Sequence, residues 1–392
     1  MKLGYYITHF PYVGERTPST QEYACGGAEW AAYHLALEIA RRGHDVKVFT
    51  ASVDRRDDIE YHGGIAVYRY GTNFRVDSSS VSLGMLLKPS KHSLDIVHAH
   101  FTVPPASYAA LWHARRKKTP LIVTYHSEQR AGYGSPVRRV GAMIDNLLVR
   151  HSLLPRATSI ISPSQHYVDE SPFLREHKRK VVSIPNGVNL EDFEVPYSKE
   201  ECRKRLGLPE DARIVLFMGS LSPQKAPDVL VKAMPAIVES VPNAILLMVG
   251  SGVMRDKLEQ LTRDMDICRS VRFAGLAEYR SRSLYYRASD IFVLPSIEET
   301  FGIVLLEASA SGLPMVVSNL PTFKWIIKDG YNGLVVEKGN QSDLARALVR
   351  LFSDDQLRTR LGQNARGQIG DYSWPAIAEE TERLYLAVLK AS

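Results

Sequence analysis

Short runs of branched apolar residues, each closed by a turn and followed by a stretch of helical period, recur along this chain and leave few folds open to it. One set lies at residues 3–8, 45–51, 94–100, 121–125, 158–163 and 180–184. A second lies at 214–218, 245–249, 271–275, 290–294, 315–318 and 332–337. Runs this short and this apolar read as strands buried on both faces, and strands alternating with helices imply an α/β fold with parallel sheets. At 392 residues the chain exceeds one ordinary domain and suits two, each with its own core. Residues 57–70 read as a charged turn and a short hairpin, and 78–93 as a loop with an apolar middle. Residues 196–207 turn charged and polar, so a linker is placed there.

Charge and cysteine usage narrow the partners. The net charge of +6 and pI near 9.0 favour anionic ligands or surfaces, although a solubility bias alone would look the same. Cys25, Cys202 and Cys268 are odd in number and far apart, which proposes neither a disulfide framework nor a zinc site. No acidic cluster suggests a metal. No run of about 18 apolar residues suits a membrane span, and MKLGYYITHF lacks the apolar core of a secretion signal, so the sequence reads as cytoplasmic. All twelve histidines fall at or before His177, so the two halves are expected to do different chemistry.

The most informative stretch is 295–314, PSIEETFGIVLLEASASGLP. It follows a buried strand and reads as a polar loop leading into a helix over 302–310. A helix start collects free N–H groups and the positive end of the macrodipole, a setting for diphosphate or sugar hydroxyls. Glu299 stands in the loop and Glu307 about two turns into the helix. A receptor with a carboxylate at each end suits a ligand charged in its middle and hydroxylated at both ends. Acids near a helix N-terminus are also common as simple solvated charges.

Other loops at strand ends add candidates. Gly26-Gly27 precedes a helix over 28–42 and is either a close-approach site for an anion or a plain turn; it is not the GxGxxG fingerprint, so no dinucleotide is implied. Strand ends at His98-Ala99-His100 and at His126-Ser127-Glu128 place histidines where open α/β sheets bind ligands. A capping or core-edge role is the alternative for His126. The strand at 214–218 closes on Gly219-Ser220-Leu221-Ser222-Pro223-Gln224-Lys225, which projects the Lys225 cation from just before a helix. Gly250-Ser251-Gly252 is a tight turn that lets backbone approach a ligand.

Glu299 and Glu307 with Phe301-Gly302 between them and Gly312-Leu313-Pro314 after them resemble the signature of retaining glycosyltransferase family 4 (group 1). That family has the GT-B fold, two Rossmann-like domains facing across a cleft. The likeness runs from Gly26-Gly27 through 184–189 and Phe193, where the family's first domain hands over to its second, to Trp374. It implies an acceptor-side domain at 1–195, a nucleotide-sugar-binding domain at 196–373, and a helix at 374–392 that crosses back to the first domain. It implies that Glu299, Phe301, Gly302 and Ile303 meet the donor sugar and phosphates, and that Glu307 meets the ribose. Lys225 takes the diphosphate, Arg272 and Phe273 belong to the strand that reads the base, and His126 faces the sugar. Gly27 lies near the phosphate, with Gly26 and His100 on the acceptor side. The family usually carries Arg where this chain has Ser220, so one of two phosphate cations is missing.

The resemblance thus implies transfer of a hexosyl group with retention, from a UDP- or GDP-sugar to a hydroxyl acceptor such as a glycan or lipid-linked saccharide. The donor is a substrate, and neither cofactor nor metal is expected. Carboxylates at glycosidase spacing are not needed, because in this family the leaving diphosphate takes the acceptor proton. The run Arg115–Lys118 and the amphipathic segment at 138–151 read either as basic helix ends or as a peripheral membrane contact, as in similar enzymes with lipid-linked acceptors. A non-catalytic nucleotide-sugar binder of the same fold is the competing reading, favoured by Ser220. A nucleic-acid partner is not expected, since no aromatic–basic surface motif is present.

Overall fold

The computed structural model describes residues 1–13, 23, 25–76, 79–126 and 136–391. They form two compact units: Met1–Asn186 with Trp374–Ser392, and Gly187–Ser373. The divide falls after Asn186 and not at 195/196, because Val188 and Phe193 are already buried in the second unit's core. Residues 14–22 and 24, and the Ser127-Glu128 pair after His126, lie outside the described residues.

The first unit contributes β1 (Lys2–Tyr6), β2 (Asp45–Ala51), β3 (Asp58–His62), β4 (Ile65–Tyr70), β5 (Phe74–Val76), β6 (Ser79–Val81), β7 (Ile96–Phe101), β8 (Leu121–Tyr125), β9 (Ser159–Ser162) and β10 (Val181–Ser183). Eight of these make one sheet in the order β10-β9-β8-β7-β1-β2-β4-β3, parallel except where β3 and β4 form the expected hairpin. The second unit holds β11 (Arg213–Met218), β12 (Ala244–Val249), β13 (Val271–Gly275), β14 (Ile291–Leu294), β15 (Met315–Ser318) and β16 (Gly333–Val336). Its order, β13-β12-β11-β14-β15-β16, is wholly parallel. Every residue of β7, β12 and β14 is buried, as strands covered by helices on both faces must be.

Both sheets reverse direction once, between β1 and β7 and between β11 and β14. At such a switch the connections after neighbouring strands leave to opposite sides and open a crevice at the strands' C-terminal ends. In the second unit the segments leaving β11 and β14 carry Lys225 and Glu299. The loops beside them are fixed by close backbone approach. A Cβ on Gly250 would stand 1.9 Å from the Gly219 carbonyl oxygen, at a φ of +141°, so only glycine fits.

Two expectations need correction. Residues 78–93 are not a loop throughout: Ser79–Val81 pairs with Phe74–Val76, and Leu83–Leu87 is a helix whose Ser82 hydroxyl accepts from the Met85 amide while Met85 is buried. The supposed linker holds a helix, Lys199–Arg205, because Ser198 and Glu201 satisfy each other's backbone donors in a capping box. The helix Gln341–Ser353 is followed by a second, Asp355–Gly367, started by the Asp354 carboxylate. The run Arg115–Lys118 stands at the end of the helix Ala106–Lys117, where cations suit exposed carbonyls. No helix among the described residues is long and apolar enough to cross a membrane.

Candidate functional site

In the second unit, one loop gathers most of the residues singled out from the sequence. After β14 the chain turns through Pro295 and Ser296. The amides of Ile297 and Glu298 then donate to the Gln224 carbonyl, at 2.8 and 3.4 Å. This ties the loop after β14 to the turn Pro223–Lys225 that follows β11. Lys225 Nζ and the Glu299 carboxylate form an ion pair there, with both side chains mostly withdrawn from solvent. A cation and an acid therefore share one spot at the switch between β11 and β14.

Phe301 is buried, and Gly302 turns the chain at a φ of +87° into the helix Ile303–Ala310. A left-handed residue at that junction favours glycine. Of the first-turn amides, that of Leu305 donates to the Gly302 carbonyl at 2.9 Å, while those of Ile303 and Val304 have no helical carbonyl one turn earlier to bond. They carry the helix's positive end next to Lys225, which makes the spot receptive to phosphate oxygens.

Glu307 is 3 % exposed and fully engaged. Its Oε1 accepts from Arg282 Nη1 at 2.7 Å, and its Oε2 accepts from the Tyr286 hydroxyl at 2.7 Å. Arg282 is in turn sandwiched, its guanidinium 3.7 Å from the Tyr279 ring centroid and 5.6 Å from that of Phe193. Any hydroxyl reaching Glu307 must use the lone pairs these donors leave. Arg282 and Tyr286 were not foreseen, although their four-residue spacing on the helix Arg282–Ala288 puts them on one face. Arg272 and Phe273 stand on β13, three strands from β14, so they are not part of the Lys225–Glu299 group. Phe273 lies under the Arg255 guanidinium at 4.4 Å, a second cation that sequence reasoning passed over. Ser220, in the place where the resembling family has Arg, is exposed.

The first unit holds a separate cluster. His98 and His100 alternate along β7 and share a face, and His126 follows β8. His100 Nδ1 and His126 Nε2 are 3.1 Å apart, and the rings of His98 and His100 stack at 4.4 Å. His98 is held on both sides, by the Tyr385 hydroxyl at 2.6 Å and the Thr124 hydroxyl at 2.7 Å. Tyr5 and Tyr385 join hydroxyls at 2.7 Å beneath them. His100 Nε2 has no partner, and with His126, Thr124, Asn186 and Thr381 it lines a cavity of about 20 Å³, room for one water. Tyr385 gave no signal in the sequence, since it is one residue of an ordinary amphipathic helix, Trp374–Ala391. Gly26 and Gly27 open the helix Gly27–Arg41, whose Ala31 and Leu35 wall the same cavity. The Gly26 amide is already taken by Glu29 Oε2 at 2.8 Å, leaving the amides after it for an anion.

Burial dominates the acid–base behaviour of these histidines. It pushes His98 down to about 3 and His126 to about 4, and it holds His100 well below the ordinary value, helped by its two histidine neighbours. All three are neutral at pH 7. Their folded values lie below the unfolded value of about 6.5, so the unfolded chain binds more protons between the two. Stability from this cluster is therefore complete above about pH 6.5 and is lost as pH falls toward about 4. Urea unfolding across that window should show a decline that is shallower in His126→Gln, by at most about 1.4 kcal/mol per pH unit. Superimposable profiles would contradict it.

Comparison with known proteins bears on the family and the fold. The family described as Glycosyl transferases group 1 matches residues 198–368, and Glycosyltransferase Family 4 matches 25–192. An uncharacterised glycosyltransferase of Methanocaldococcus jannaschii is 31% identical over 379 residues, covering 92% of this chain and 94% of its own. A D-inositol 3-phosphate glycosyltransferase of Actinosynnema mirum is 30% identical over 391 residues, with 92% of each chain covered. Among solved structures, a sucrose-phosphate synthase of Thermosynechococcus elongatus superposes with a TM-score of 0.79 at 24% identity over 100% of both chains, which shows a shared GT-B fold. With the nearly full-length likeness to the archaeal protein, these matches show that the chain belongs to the group 1 glycosyltransferases of family 4.

Proposed function

We propose that this glycosyltransferase moves a hexosyl group, with retention of configuration, from a UDP- or GDP-sugar to a hydroxyl of a glycan or lipid-linked saccharide. The observation that carries the reading is the Lys225–Glu299 pair set against the start of the helix Ile303–Ala310. Lys225 and the amides of residues 301–303 stabilise the charge that grows on the departing diphosphate. Glu299, beside them, accepts from sugar hydroxyls. The leaving diphosphate takes the acceptor proton as the new glycosidic bond forms on the same face of the sugar, and no metal or cofactor is required. Glu307 receives the ribose, oriented by Arg282 and Tyr286. A neutral His126 offers a hydrogen bond to a sugar hydroxyl rather than a standing positive charge that would oppose a developing oxocarbenium. The inositol phosphate named for the Actinosynnema relative supports a polyhydroxyl acceptor.

The exposed Ser220 favours a second reading, a nucleotide-sugar binder that no longer transfers. A panel of UDP-, GDP- and ADP-sugars separates the two by release of nucleoside diphosphate. Turnover with one donor is expected, with the α- or β-linkage of the donor kept in the product by NMR; tight binding without turnover would favour the binder. Lys225→Ala should lower kcat by about 10², and Glu307→Gln should raise the donor KM far more than it lowers kcat. Unchanged kinetics in either variant would remove the role assigned to that residue.

We also propose a peripheral contact of the first unit with an anionic membrane surface. Its support is the helix Pro136–Leu148, where Val140, Met143, Ile144 and Leu147 are exposed along one side with Arg139 beside them. Sedimentation with vesicles should show binding to anionic but not neutral lipid, abolished by Ile144→Glu with Leu147→Glu. Binding that persists in the double variant would refute it.

A further inference from the structure

A second cavity lies at the other end of the second unit's sheet, away from the segments that leave β11 and β14. Asp290 and Pro314, the residues immediately before β14 and β15, form part of its wall, which places it at the strands' N-terminal ends. It measures about 400 Å³, within the range of small-molecule sites. Lys199, Arg287, Arg358 and Arg366 line it, against the single lining carboxylate of Asp290.

The ion pairs do not cancel this charge. Asp290 is saturated: it accepts from Lys199, from Arg203 Nη2 at 2.9 Å and from the Ile214 amide at 2.7 Å. Arg358 pairs with Asp355, and Arg366 stands 3.9 Å from Glu194 with both side chains more than half exposed, a separation and exposure that give little attraction. Arg287 has only a 3.3 Å bond to the Tyr197 carbonyl. Counting the ion-pair partners behind the lining, Arg203, Asp355 and Glu194, five cations meet three carboxylates, a surplus of two positive charges at this cavity.

Helix-end capping accounts for only part of the cluster. Arg287 and Arg366 lie in the last turns of the helices Arg282–Ala288 and Asp355–Gly367, where cations are favoured. Lys199 opens the helix Lys199–Arg205, and Arg358 sits one turn into Asp355–Gly367; both positions set a cation against the positive end of a helix. Neither charge is there for the end of its own helix: Lys199 is held by Asp290, and Arg358 by Asp355 and the Leu351 carbonyl at 3.1 Å, and both still line the cavity. Cations rule out a metal ion as the occupant. The concave shape and the small volume rule out a nucleic-acid strand.

We propose that this cavity binds a small phosphorylated molecule through a phosphate monoester or inorganic phosphate. Such a group carries about −1.5 to −2 charges at pH 7 and presents oxygens that arginine forks bind in pairs. That charge matches the local surplus. Tyr286 lines this cavity, and its hydroxyl holds Glu307 of the site described above.

Calorimetric titration of the full chain with inorganic phosphate and, separately, with a hexose monophosphate tests the assignment. The tighter of the two identifies the source of the phosphoryl group. Arg287→Gln combined with Arg366→Gln changes two exposed side chains at the cavity's mouth, and the unliganded unfolding midpoint checks that the fold is kept. The double variant should bind at least about tenfold more weakly, while phosphate-induced thermal stabilisation shrinks with it. Absence of saturable binding of either compound at millimolar concentration would overturn the proposal. So would an affinity unchanged in the double variant, because binding would then lie elsewhere.

Discussion

A cation and a carboxylate held at the mouth of a parallel sheet, next to the opening amides of a helix, is the arrangement on which the proposed chemistry of the second unit depends. Lys225 and Glu299 come from segments 74 positions apart, and they meet because the loops after β11 and β14 share the Gln224 carbonyl. The pair is withdrawn from water but not fully buried, so its attraction is stronger than a surface contact and still open to exchange. In the proposed reaction, an incoming diphosphate would offer Lys225 a richer anion and leave Glu299 free to accept from hydroxyls. Polar groups set in advance at the place where charge develops are what electrostatic catalysis needs, since they then cost no reorganisation during reaction.

Supporting layers keep this arrangement rigid. Gly250 lets the loop after β12 press against Gly219, and Gly302 lets the helix begin abruptly behind Phe301. Glu307 is locked by Arg282 and Tyr286, and Arg282 by the rings of Tyr279 and Phe193. In the first unit the same logic appears with neutral groups. The histidines on β7 and just after β8 are stacked, bonded and buried, so they hold hydrogen-bond geometry without charge.

Much of this was legible in the sequence, for reasons that differ by element. Buried parallel strands announce themselves by composition alone, so the runs at 121–125 and 45–51 match β8 and β2 residue for residue. The motif around Glu299 and Glu307 was readable because strand, polar loop and helix are adjacent in sequence. What pairs with those acids was hidden, because Lys225–Glu299 and Arg282–Glu307 are long-range contacts fixed by sheet order and by packing of one helix on another. His98 was visible as a histidine but not as the link between Tyr385 and His100, since Tyr385 lies 287 positions away. The helix at Lys199–Arg205 was missed through its charge, although Ser198 and Glu201 carry the capping pattern that should have outweighed composition.

The central claim is that the start of the helix Ile303–Ala310 grips a diphosphate. A crystal of the chain soaked with a nucleoside diphosphate sugar that it turns over tests this most directly. The account predicts phosphate oxygens within hydrogen-bond reach of Lys225 Nζ and of the amides of residues 301–303, with the Lys225–Glu299 pair opened and Glu299 turned to the sugar. A diphosphate seated away from those amides, with that pair intact, would contradict it.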